Sequence, residues 1–66
     1  MSVLKVIEIL ANSSESWEDA AGKAVAEASK SVKNIKSVWV QEQSATVKDG
    51  KIDDYRVNVK ITFEVR

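Results

Sequence analysis

The sequence predicts an α+β domain in which one amphipathic helix lies against a three-stranded antiparallel sheet, with elements in the order β-α-β-β. Three observations carry this prediction. An apolar run, VLKVIEIL, stands near the start. A capped segment with apolar residues at three- and four-residue steps follows it, and two long strand-like runs then meet at Asp49-Gly50.

The run Val3 to Leu10 is rich in Val, Ile and Leu and short for a helix, so it reads as a strand with much of both faces covered. The polar cluster Ala11-Asn12-Ser13-Ser14-Glu15 ends it. Ser16 with Asp19 makes an S-x-x-D capping box, and Glu18 and Asp19 place negative charge at the positive end of the helix dipole. From Trp17, residues Ala20, Ala21, Ala24, Val25, Ala28 and Val32 form one apolar stripe, with Glu18, Lys23, Glu27 and Lys30 opposite. Because the stripe is mostly alanine, the helix can approach a sheet closely. Lys33 and Asn34 suit its C-terminal end, Asn34 as a residue that tolerates the left-handed conformation.

Asp49-Gly50 is the dipeptide of two-residue type I′ hairpins and separates strands two and three. In the third strand Tyr55, Val57, Val59, Ile61, Phe63 and Val65 share one face, and Arg56, Asn58, Lys60, Thr62, Glu64 and Arg66 the other. If Asp49 and Gly50 are the loop, Val38 faces Ile61, Val40 faces Val59 and Trp39 faces Lys60. Strands one and two, joined through the helix, run parallel, so strand three lies between them and the sheet order is 1-3-2. No repeat or linker interrupts the chain, which is read as a single domain over residues 1–66.

At 66 residues a lone hydrophobic core barely offsets the entropy of ordering the chain. With no Cys and no His, disulfides and ordinary zinc sites are excluded as staples, which leaves self-association. Ten basic and ten acidic residues cancel and are scattered, so no electrostatic footprint for nucleic acid or an anionic membrane is present. The start of the chain resembles neither a secretory signal nor a membrane span, and a cytoplasmic location is expected.

The same straight register places Ser37, Trp39, Gln41 and Gln43 beside Thr62, Lys60, Asn58 and Arg56, on the sheet face away from the helix. A large ring left in water there implies cover by another subunit or a ligand. Trp39 therefore reads either as interface packing or as a stacking plate. Gln41, Gln43, Arg56 and Asn58 read either as solvated strand residues or as polar contacts to a heteroaromatic ligand. Trp17, on the apolar stripe, reads as structural. Asp49, Asp53 and Asp54 match no calcium loop and read as a solvated turn. Catalysis lacks its usual groups, with no histidine, no cysteine and no glycine-rich phosphate loop, so no enzyme is expected.

The segments KVIEI, SSESWEDAAGKAVAEASKSVKNI, VQEQ and DGKIDDYRVNVKITFEV, in that order and spacing, resemble the dodecin family over nearly the whole chain. The resemblance implies a β-α-β-β subunit assembled twelvefold into a hollow shell that stores or buffers flavin, riboflavin or FMN, in stacked pairs between tryptophans. Stacking of this kind adds about 0.5–1.5 kcal/mol per aromatic pair beyond burial. Aligned without gaps, the family's stacking tryptophan falls on Ser37 and its ring-binding glutamine on Arg56, with Trp39 two residues along from the first. An arginine in place of a neutral amide favours an anionic group such as a phosphate. Some relatives without that tryptophan are associated with calcium, and others bind coenzyme A, so the resemblance also implies an alternative in which the assembly carries one of these or is purely structural.

Overall fold

The computed structural model describes residues 2–66, with β1 at Val3–Ser13, α1 at Trp17–Ala28, β2 at Ile35–Lys48 and β3 at Lys51–Val65. The sheet order is β1-β3-β2, and β3 is antiparallel to both neighbours. This is the fold class and strand order that the sequence predicts.

The helix begins where the capping signal places it. Ser16 is extended, and its Oγ accepts the Asp19 N–H at 2.9 Å. The reciprocal half of the box is replaced: Asp19 Oδ2 accepts from the hydroxyl of Ser13 at 2.6 Å, and Ser13 Oγ accepts the Glu15 N–H at 2.9 Å. Ser13, at the end of β1 and 3% exposed, thus joins strand to helix.

The helix ends earlier than the apolar stripe suggests, at Ala28 rather than near Lys33. Tighter i→i+3 bonds close the turn, from Lys30 N to Glu27 O at 3.2 Å and Ser31 N to Ala28 O at 3.1 Å. The hydroxyl of Ser29 also donates to Val25 O, a local bond that competes with continued helix. Asn34 does adopt the left-handed conformation, at φ 64°, and there turns the chain into β2.

Ala20, Ala24 and Ala28, one turn apart, are buried against Val57, Val59 and Ile61 of β3. Ile7, Ile9, Ala11, Trp17, Ala21, Val25, Ile35 and Val40 surround that core. Small side chains on the helix let the branched ones of the central strand pack directly against it.

At the hairpin, Asp49 and Gly50 have φ of 53° and 75°, the pair of positive values that a type I′ turn demands. Lys48 pairs with Lys51, and Val38, Trp39 and Val40 pair with Ile61, Lys60 and Val59 as the straight register requires. Between these regions the register departs from it. Shifts at Thr46/Val47 and Val40/Glu42 bracket a stretch in which Ala45 opposes Tyr55, Ser44 opposes Arg56, Gln43 opposes Val57 and Glu42 opposes Asn58. A straight ladder would set the Glu42 carboxylate across from the buried Val57. The paired bulges turn Glu42 to the other face and bring Ala45 onto the core side. A third shift, at Ile35/Ser37, pairs Ile35 with Phe63 and returns an aliphatic residue to the core face.

Candidate functional site

The face of the sheet turned away from α1 is polar along its centre and apolar at one edge. Down β3 it presents Arg56, Asn58, Lys60 and Thr62, because the alternate residues Val57, Val59 and Ile61 are held under the helix. On β1, Leu4 pairs with Glu64, Val6 with Thr62, Glu8 with Lys60, Leu10 with Asn58 and Asn12 with Arg56. Leu4, Val6 and Leu10 are 55%, 55% and 62% exposed, so in the single chain β1 has one open face where the sequence led us to expect cover on both.

On β2 the same face carries Ser37, across from Thr62, and Trp39, across from Lys60. The indole is 61% exposed, and Lys60 Nζ lies 5.6 Å from its centroid. A cation over the ring face is attracted by the π quadrupole. Trp39 therefore projects from the outer face, as the register requires, with a partner that the sequence reading did not assign to the site. The pairing of Trp39 with Lys60, legible in the hairpin arithmetic, was the signal available for it.

Two expected neighbours are displaced by the bulges. Gln41 is the unpaired residue between Val40 and Glu42, and it is Glu42 that stands across from Asn58. Gln43 stands across from Val57, on the helix side of the sheet, and Ser44 takes the place across from Arg56. The structure thus brings Ser37, Trp39, Asn58 and Arg56 to one face and removes Gln43 from it. Arg56 Nε donates to Asn12 Oδ1 at 3.0 Å, which anchors the guanidinium to β1. Asn58 Oδ1 is buried with no hydrogen-bond partner, an acceptor that a protein interior rarely leaves unserved.

The other tryptophan has the structural role its position suggests. Trp17 Nε1 donates to Ser44 O at 2.8 Å and its ring meets Tyr55 edge-on, centroids 4.9 Å apart at 77°. It pins the helix start over β3 to the edge strand β2.

The Trp39 indole stands open on the outer face. Two concavities, of about 420 and 570 Å³, lie beside the helix and β1 and beside the chain end, and Trp39 lines neither. Small-molecule sites enclose most of their ligand. A ligand on Trp39 would accordingly need a second surface to close over it. Among the described residues, no group of three or more Asp, Glu, His or Cys is placed to hold a metal ion, and no helix is long and apolar enough to cross a membrane.

A family model described as dodecin matches residues 3–66. Calcium dodecin of Mycobacterium tuberculosis is 41% identical over 66 residues, spanning 100% of this chain and 93% of that protein. Its crystal structure, described as that of a calcium-chelating antigen, is 44% identical, with a TM-score of 0.84 over 98% of this chain and 93% of the other. A variant of Thermus thermophilus dodecin is 26% identical yet superposes with a TM-score of 0.94, covering 100% of this chain and 98% of that one.

Proposed function

The chain belongs to the dodecin family, and we propose that it assembles into a homododecameric hollow shell that binds and stores or buffers a flavin, riboflavin or FMN, against Trp39. The observation that carries this reading is the indole itself, 61% exposed on a sheet face bordered by exposed Leu4, Val6 and Leu10. A flat apolar border and an open ring are what a symmetric neighbour and a stacked ligand would cover together. Arg56 and Asn58 supply a cation and an unserved acceptor on the same face. We read the role as binding, not catalysis, since the sequence has no histidine or cysteine for base or nucleophile work.

Titrating FMN or riboflavin into micromolar protein while following flavin fluorescence tests the reading, with native mass measured on the same sample. Quenching together with a mass twelve times the 7.3 kDa subunit supports it. An unquenched flavin, or isolated subunits, overturns it.

A second reading, an assembly that carries calcium, is favoured by the 41% identity to calcium dodecin. Because no acidic cluster is present within the described residues of one chain, carboxylates from different copies would have to meet, the hairpin residues Asp49, Asp53 and Asp54 being available for that. Calorimetric titration with calcium, before and after EGTA, separates the two readings. Coenzyme A, the other cargo suggested by the family resemblance, is tested by native mass after incubation with it.

A further inference from the structure

Lys60 stands beside the indole on the outer face and covers one approach to its ring. It is registered with Glu8 on one side and Trp39 on the other. Its ammonium sits over the ring, 5.6 Å from the centroid, and among the described residues it makes no ion pair with Glu8 or any other carboxylate. One of the surfaces on which a planar ligand could stack is thus already held by a cation.

We propose that Lys60 is the selectivity residue of the Trp39 face, admitting planar heteroaromatic ligands that carry an anionic group in preference to the same ring uncharged. This rests on the reading of that face as a flavin site. A ring stacking on the side of the indole that Lys60 covers must displace the ammonium, and a cation–π contact at an exposed site is weak enough to be displaced. The four-carbon stem leaves the ammonium at the margin of the new ring. Both ligands gain the stacking contact, but an anionic substituent there also regains a charge-assisted contact, whereas an uncharged ligand loses the cation–π contact without that replacement.

The surrounding charges make this cation decisive. Glu8 is across the ladder from Lys60, and Glu42 is across from Asn58 on the same face, so without Lys60 the ground beside Trp39 is acidic. The other cation of the face, Arg56, is four residues along β3, about 13 Å at the usual strand rise, and its Nε is committed to Asn12.

The test compares FMN with riboflavin on the assembled protein, by fluorescence titration of wild type, Lys60→Gln, Lys60→Arg and Arg56→Gln. Wild type is expected to favour FMN by about tenfold, equivalent to about 1.4 kcal/mol. In Lys60→Gln the preference falls to about twofold or less, with riboflavin bound at least as tightly as before, while Lys60→Arg and Arg56→Gln keep a preference above about threefold. A Lys60→Gln protein with the wild-type ratio overturns the proposal, as does a ratio abolished by Arg56→Gln alone. If wild type binds neither flavin, the flavin reading itself fails and the selectivity role fails with it. The cover of the indole has its own readout: in ligand-free protein the Lys60 ε-methylene protons are shifted upfield by the ring and return to ordinary values in Trp39→Ala. An unshifted methylene in wild type overturns the proposal whatever the flavins do.

Discussion

The hydroxyl of Ser13 donates to Asp19 Oδ2 at 2.6 Å, so the last residue of β1 is bonded to the first turn of α1. The same oxygen accepts the Glu15 N–H at 2.9 Å, which makes Ser13 the hinge pin of the strand-to-helix turn. Ser13→Ala removes a charge-assisted bond to the Asp19 carboxylate together with the acceptor of the Glu15 N–H. Urea unfolding is expected to show a loss of about 1–3 kcal/mol.

The pH dependence follows from the same contact. The Ser13 hydrogen bond, then the Lys23 ammonium at 3.1 Å, hold the Asp19 carboxyl below its ordinary value of 3.8. A depressed folded-state value contributes stability that is complete above the unfolded-state value and is lost as pH falls through the folded-state one. Wild type should therefore lose stability below about pH 4, and the gap between it and Ser13→Ala should narrow there. A gap that stays constant down to pH 2 in a series of urea titrations would count against this assignment.

Trp17→Phe retains a ring against Tyr55 but removes the donor to Ser44 O. The expected cost is about 0.5–1.5 kcal/mol, seen as a lower urea midpoint with an unchanged slope. A larger loss would show that the indole packs more of the helix start than its single hydrogen bond indicates.

The alanine stripe and the central strand should fail in opposite ways. Ile61→Ala opens a cavity beneath the helix and should cost about 2–5 kcal/mol. Ala24→Leu overfills the same layer and should cost about 1–3 kcal/mol. Thermal unfolding by circular dichroism ranks the two.

Trp39→Ala separates stacking from packing. Because the ring is mostly in water in the single chain, its loss should change intrinsic stability by no more than about 0.5 kcal/mol. The variant should assemble normally and fail to quench flavin. Loss of assembly with no ligand present would assign the ring to subunit packing instead.

The helix start could be read from Ser16 and Asp19, and the reversal from Asp49-Gly50, because both depend on bonds and dihedrals within a few residues. The sheet order followed from chain connectivity, and the outward aim of Trp39 from its pairing with Lys60. The surroundings of Trp39 were less legible. A straight ladder put Gln41 and Gln43 beside Asn58 and Arg56, whereas the bulges gave those places to Glu42 and Ser44. Nothing local marks such a bulge. Which residues it moves, Ala45 to the place across from Tyr55 and Glu42 away from Val57, is settled only once the strands are paired.

Local chemistry in the amino-acid order alone determined where the helix begins, where the hairpin turns, which residues of β3 share the core face and on which side an indole emerges. Each is a matter of capping, positive φ or alternation, settled within a short stretch of chain. Folding decided the rest: the coupling of Ser13 to Asp19, the reach of Trp17 to Ser44, the removal of Gln43 from the outer face and the seat of Lys60 over Trp39. These contacts depend on how separate segments settle against one another, where bulges reset which side chains share a face and an ammonium can choose between a ring and a carboxylate.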